Sequence, residues 1–113
     1  MQNSLSGRVL TGTITSSNGI FNNLEGYQFI TKFTATSFVT QNSSGKTESC
    51  GNYTYKDDKI ILHSTHGMHV DENLEIKLKF LENNNGVYEA RYIPTSNYVL
   101  QMAGIQHGIF NLK

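Results

Sequence analysis

Three of the four histidines stand close together and are followed at once by two acids. His63, His66 and His69 recur at intervals of three, and Asp71 and Glu72 come next. Imidazole and carboxylate groups are ligands of first-row transition metals. On a strand, however, His66 would point away from His63 and His69, so the three could not converge. We therefore expect a solvated loop and no metal; a metal-holding loop and a pH-sensitive loop are the alternatives.

Tyrosine is the second residue type in this chain that could form a functional site. The six tyrosines and most phenylalanines fall on the apolar parity of alternating segments, which places them on one face of each strand. A buried hydroxyl without a partner costs about 1–3 kcal/mol, so we expect a cavity that holds water or a polar ligand. The alternative is that each hydroxyl emerges at a rim and only the ring is buried. Ala90, between Tyr88 and Tyr92, leaves a niche that suits a planar ligand or a neighbouring ring. The residues expected to line the cavity are Tyr27, Phe29, Phe33, Tyr53, Tyr55, Tyr88, Tyr92, Tyr98 and Met102.

Two further reactive groups have ordinary structural explanations. Glu89 and Arg91 share a strand face opposite the tyrosines, so we expect them outside, as an ion-pair face that contributes little. In the opposite register they would form an inward acid/base and anion-anchoring pair. Cys50 has no base or helix N-terminus beside it in sequence, so we expect a small buried hydrophobe and not a nucleophile. No glycine has the setting of a phosphate-binding loop, and no cofactor is expected.

The elements that must position these residues are β-strands. The clearest segment is Asn73 to Ile93, in which apolar and charged residues alternate on both sides of Asn85-Gly86. Asn-Gly supplies the positive φ of a tight turn, so this segment predicts a hairpin. His63–Glu72 reads as a loop, and no window of about 11 residues has a helical stripe. Alternation predicts the remaining strands at Arg8–Thr15, Tyr27–Phe33, Thr36–Gln41, Thr47–Tyr55, Ile60–His63, Tyr98–Met102 and Gly108–Leu112.

The number and spacing of these strands indicate the fold class. Short strands with turn signals between them are typical of a sandwich or a barrel. Short turns favour pairing of sequence neighbours, and closure removes the two unpaired edges of an open meander. We therefore predict an all-β fold, a single up-and-down antiparallel barrel of about eight to nine strands, with a sandwich as the alternative. The 113 residues make one domain, 1–113, with residues 1–6 as a loose N-terminal tail.

Composition excludes several classes of partner. Nine basic and nine acidic residues cancel, so neither nucleic acid nor an anionic membrane surface is expected as a partner. No apolar run of about 18 residues is present to span a membrane. The single cysteine excludes an intrachain disulfide, and the N-terminus does not resemble a signal peptide. These two features together favour a cytoplasmic location. The alternative is a secreted protein in its mature form. The sequence is also compatible with a homodimer.

Five motifs follow one another in a recognisable order. They are Gly51-Asn52-Tyr53-Thr54-Tyr55, Ile60-Ile61-Leu62, Leu74 to Phe80, Gly86-Val87-Tyr88 and Gly108-Ile109-Phe110-Asn111-Leu112. This order resembles that of small bacterial lipocalin-like barrels, including the MoaF-like type, over roughly Leu5 to Leu112. The chain lacks the Gly-x-Trp, the tryptophan and the disulfide of secreted lipocalins, so the resemblance does not imply lipid transport. It implies a barrel that hosts small-ligand binders, cyclases or decarboxylases.

The sequence leads to three hypotheses about function. The first is a small-molecule-binding barrel that encloses a small apolar or aromatic ligand. The second is a lipocalin-like enzyme, a cyclase, isomerase or decarboxylase, that uses a cavity tyrosine as acid or hydrogen-bond donor, with His63 as a further candidate. The third is an inhibitor barrel with a filled core that binds another protein.

Overall fold

The structure, a computed structural model, describes residues 5–18, 24–67, 73–92 and 104–113. Eight strands in these ranges form one closed antiparallel barrel in up-and-down order, which confirms the predicted fold class. Closure is made by pairing of the first strand with the last. The predicted strand Tyr98–Met102 lies outside the described residues. The strands are β1 (Val9–Ser17), β2 (Gln28–Phe33), β3 (Ser37–Asn42), β4 (Thr47–Lys56), β5 (Lys59–Gly67), β6 (Asn73–Phe80), β7 (Asn85–Tyr92) and β8 (Gln106–Leu112).

No helix among the described residues is long and apolar enough to cross a membrane.

One end of the barrel is packed solid. This is the end where β1 begins, and we call it the filled end; its core includes Leu5, Leu10, Phe33, Phe38, Tyr53, Ile60, Phe110 and Leu112. The Phe33 and Tyr53 rings meet edge to face with centroids 4.8 Å apart. Leu5 is fully buried, and its backbone N–H donates to the Tyr53 hydroxyl at 2.9 Å. The chain is therefore anchored at Leu5, within the segment that the sequence predicts as a loose tail.

Inward-facing glycines let aromatic rings of neighbouring strands fold over the backbone. Gly12 pairs with Phe29, and a Cβ at Gly12 would lie 2.3 Å from that ring. Gly108 pairs with Tyr88, and a Cβ there would lie 2.5 Å from the tyrosine ring. Glycine within a strand commonly marks such a close approach. The rings fill the space that these glycines leave, which fixes Phe29 and Tyr88 in the middle of the barrel.

The β6–β7 hairpin is confirmed, but its turn differs from the prediction. Residues 81–84 connect the strands, whereas Asn85 and Gly86 already belong to β7. Gly86 is not among the described residues with positive φ. A Cβ at Gly86 would lie 1.9 Å from the Lys79 carbonyl oxygen. Close approach of two backbones, and not turn geometry, therefore explains this glycine.

The two-residue turn of the barrel lies between β4 and β5. Lys56 pairs with Lys59, and the two residues between them, Asp57 and Asp58, have φ of 53° and 60°. Positive φ at both central positions is the feature of a type I′ turn, whose twist matches that of the strands. The Tyr55 hydroxyl donates to the Asp58 carboxylate at 3.1 Å across this turn.

Three β-bulges lie at the other end of the barrel. The pairing shifts show one extra residue each in β1, β4 and β5, namely Thr15, Glu48 and Thr65. Because β5 continues through its bulge to Gly67, the loop predicted over His63–Glu72 is wrong up to that residue. Residues 68–72 lie outside the described part. Bulges bend a strand and turn side chains to new directions.

Candidate functional site

A cavity of about 390 Å³ occupies the barrel interior at the end opposite the filled end. We call this the cavity end; there the odd-numbered strands finish and the even-numbered strands begin. The volume lies in the lower part of the range of about 300–1,000 Å³ that small-molecule sites occupy. Most of the wall is apolar or aromatic, and it includes Ile14, Phe29, Leu62, Leu74, Ile76 and Ala90. Among the described residues, the polar part of the wall comprises Thr31, Thr40, Glu48, Ser49, Ser64 and Gln106.

A carboxylate and a tyrosine meet on one side of this cavity. The Tyr27 hydroxyl donates to Glu48 Oε2 at 2.5 Å. Glu48 is the extra residue of the β4 bulge, where Thr40 pairs with Ser49 and Gln41 already pairs with Thr47. Burial, followed by the hydrogen bond to Glu48 and its charge, raises the pKa of Tyr27 to about 12. Tyr27 therefore keeps its proton at neutral pH and holds it toward Glu48.

A second polar pair is contributed by the last two strands. The Tyr88 hydroxyl donates to Gln106 Oε1 at 2.7 Å. The Tyr88 ring is buried and meets the Phe29 ring edge to face, with centroids 5.9 Å apart. Burial raises the pKa of Tyr88 above its ordinary value. This tyrosine is thus a neutral hydrogen-bonding group at the boundary between the cavity and the packed core.

A third polar pair joins β2 to β3. Thr31 and Thr40 are cross-strand partners, and their hydroxyl oxygens are 2.8 Å apart. Thr31 is only 2 % exposed, so this bond satisfies a hydroxyl that water reaches poorly. The three pairs show how the barrel satisfies polar groups beside its apolar walls.

The structure brings four of the predicted site residues to the cavity wall. They are Tyr27, Phe29, Tyr88 and Tyr92, and Ala90 lines the wall between the last two. Tyr98 and Met102 lie outside the described residues.

Three predicted residues lie elsewhere in the barrel. Phe33, Tyr53 and Tyr55 pack in or against the core and are not part of the cavity wall. The Tyr53 hydroxyl donates to the Thr34 carbonyl at 2.7 Å, and burial and the hydrogen bond to Asp58 raise the pKa of Tyr55. Alternation predicts which face a side chain takes but not its depth along the barrel axis, so these residues share the inward face without sharing the cavity.

Glu48, Ser49, Ser64 and Gln106 were not predicted. In β4, Asn52 and Thr54 point outward, and strict alternation would send Glu48 out with them. The bulge breaks that pattern. Period-two alternation contains no signal for it.

The histidine group is not assembled by the described residues. His63 faces outward, and its Nδ1 lies 2.7 Å from Asn73 Oδ1. The side chain of His66 and the whole of His69 lie outside the description. Among the described residues, no three His, Cys, Asp or Glu side chains are grouped so as to hold a metal ion.

The other reactive groups also face outward. Glu89 lies 3.4 Å from His107, and Arg91 lies 3.8 Å from Glu75, which confirms the exterior placement of Glu89 and Arg91. Cys50 pairs with the outward-facing Val39 and is half-buried, so its predicted burial in the core is wrong. The alternation that sends Tyr53 inward places Cys50 on the outer face.

The fold and cavity together define a class: a small closed antiparallel barrel with one filled end and one cavity end. Comparison of the chain with protein-family models, with curated proteins and with solved structures finds no match.

Proposed function

We propose that this protein binds a small apolar or aromatic molecule in the cavity end of the barrel, in the manner of the lipocalin-like barrels that its sequence resembles. The observation that supports the proposal is the cavity of about 390 Å³ with apolar walls and three hydrogen-bonded pairs. Barrels of about eight strands either fill their interior with side chains or hold one small ligand. Here one end is filled and the other is not. The apolar wall supplies contact area and the polar pairs orient the ligand.

The cavity favours binding over acid catalysis by tyrosine. A general acid is most effective when its pKa lies near the working pH. The pKa of Tyr27 is raised to about 12 by burial and by Glu48, which makes Tyr27 a poor proton donor to a substrate. His63, the other candidate of the enzyme hypothesis, faces outward beside Asn73. A hydrogen-bonding role for the tyrosines is the simpler interpretation.

The proposal is tested with a neutral aromatic fluorescent probe. N-phenyl-1-naphthylamine should gain fluorescence with saturable, equimolar binding to the wild-type protein. Ala90→Leu narrows the cavity between Tyr88 and Tyr92 and should weaken probe binding at least about 10-fold, because the added carbons occupy ligand space. Glu89→Leu, at the preceding residue of the same strand but on the outer face, is the matched control and should bind as the wild type does.

Two results would contradict the proposal. One is a wild-type protein that does not bind the probe at micromolar concentrations. The other is equal binding by Ala90→Leu and wild type when both unfold at similar temperatures. Native mass spectrometry of protein from its source would add the mass of any ligand retained in the cavity.

A further inference from the structure

We propose that the cavity selects ligands carrying a protonated amine on an apolar or aromatic body, and that Glu48 binds the ammonium group. This inference rests on the proposed function and names the chemical class of the ligand. It is supported by the charge of the described cavity wall, the direction of one hydrogen bond, and the aromatic rings that line the same cavity.

The described part of the cavity wall carries a negative charge. Glu48 is the one charged side chain among the described residues that line it. In the described part of the chain, the ion pairs join Glu75 and Glu89 to outward-facing partners, and none involves Glu48. A carboxylate beside apolar walls attracts a cation more strongly than one in water does. An anionic ligand would be repelled by the same group.

The hydrogen bond of Tyr27 fixes what Glu48 can still do. The Tyr27 hydroxyl has one O–H donor, and it donates this hydrogen bond to Glu48 Oε2. The remaining carboxylate oxygen and the tyrosine oxygen can then only accept. A ligand group facing this pair must be a donor, and an ammonium offers up to three N–H donors together with the complementary charge.

Aromatic rings lie around the same cavity. Tyr27, Phe29, Tyr88 and Tyr92 all line it. Ring faces attract cations, and rings also pack well against an aromatic ligand body. A cavity that holds a carboxylate and is lined by aromatic rings therefore suits an arylalkylamine better than an aliphatic acid or a neutral hydrocarbon.

The test compares three probes of nearly the same shape. 2-Phenylethylamine is cationic at pH 7, 2-phenylethanol is neutral and 3-phenylpropanoate is anionic. Their affinities are measured by NMR titration of 15N-labelled protein, which suits weak ligands and also locates the site. We expect the amine to bind about 10-fold to 100-fold more tightly than the alcohol, the range for a hydrogen bond to a charged group. The propanoate should bind more weakly than the alcohol.

Two variants separate charge from shape. Glu48→Gln keeps the size of the side chain and an oxygen that can accept from Tyr27, but it removes the charge. The amine should then bind no better than the alcohol, while binding of the alcohol stays within a few-fold of wild type. Glu89→Gln, which removes a carboxylate from the outer face, is the matched control and should leave all three affinities unchanged.

The outcomes distinguish this inference from the proposed function. If the amine and the alcohol bind equally to wild type, or if Glu48→Gln keeps the amine preference, the assignment of Glu48 is wrong while small-molecule binding stands. Tighter binding of the propanoate would overturn it in the same way. If N-phenyl-1-naphthylamine and all three probes fail to shift any cavity resonance, the proposed function fails and the inference falls with it.

Discussion

At the filled end, the buried Tyr53 hydroxyl is predicted to stabilise the barrel by joining two backbone groups, and Tyr53→Phe tests that role. The hydroxyl accepts from the Leu5 N–H at 2.9 Å and donates to the Thr34 carbonyl at 2.7 Å. Phenylalanine keeps the ring against Phe33 but leaves both backbone groups without this partner. A buried N–H left unpaired costs about 1–3 kcal/mol, and the Thr34 carbonyl, on an exposed residue, can turn to water at smaller cost. We expect the free energy of unfolding to fall by about 2–3 kcal/mol, or about 8–12 °C in Tm for a chain of this length.

The matched control is Tyr55→Phe, the same change at the next inward position of β4. Within the described residues, the Tyr55 hydroxyl forms one exposed hydrogen bond, to Asp58, so its loss should cost well under about 1 kcal/mol. Urea unfolding followed by far-ultraviolet circular dichroism gives both values. If the two variants unfold at the same urea concentration, the bridge between Leu5 and Thr34 does not stabilise the barrel and the reasoning is refuted.

Three further predictions concern packing, the turn and pH. Gly108→Ala should lower the free energy of unfolding by about 1–3 kcal/mol, because the new Cβ would lie 2.4 Å from the Thr13 carbonyl oxygen and 2.5 Å from the Tyr88 ring. An unchanged urea midpoint would show that the neighbouring strand and ring shift to make room for the Cβ and would contradict this prediction. Asp57→Asn with Asp58→Gly should raise the stability by about 0.5–1 kcal/mol, since these residues prefer the observed positive φ; a lower urea midpoint would contradict the turn geometry. Burial raises the pKa of Tyr88 above 10.0, so the stability it contributes is complete below pH 10 and declines as the pH rises toward the higher value. In melts between about pH 9 and about pH 11, Tyr88→Phe should therefore lose stability less steeply than wild type, and parallel curves would argue against a buried, neutral Tyr88.

The sequence was sufficient to predict which side chains of a strand face the barrel interior. Phe33, Tyr53 and Tyr88 are predicted to face inward, and all three are buried. Period-two alternation reports the face directly, because each residue rotates the side chain by half a turn. Closure of the sheet also followed from the sequence, since short turns and unpaired edges constrain the topology.

Two kinds of information were absent from the pattern. The first is depth along the barrel axis, which separates Tyr53 at the filled end from Tyr27 at the cavity, although both face inward. The second is the bulge that turns Glu48 into the cavity. A bulge depends on pairing between strands distant in sequence, and a window along one strand does not contain that pairing.

The positions of the tight turns could be predicted only in part from the sequence. Asn85-Gly86 resembles a type I′ turn, yet Gly86 lies within β7 because two backbones meet there. The turn with two positive φ values falls instead on Asp57 and Asp58, a less typical pair. Dipeptide preferences are averages, and a close tertiary contact overrode them at Gly86.

The separation of a packed end from a hollow end has a consequence for how such a barrel can change over time. Ser49 and Ser64 line the cavity but are not part of the hydrophobic core that contains Leu5 and Phe38, so substitutions there alter the hollow half and leave that core in place. Under the proposed function, new ligand specificities can arise by single substitutions that leave the fold intact, because distant sites contribute nearly additively to stability. The same independence makes the hollow half a convenient starting point for engineering small-molecule sensors.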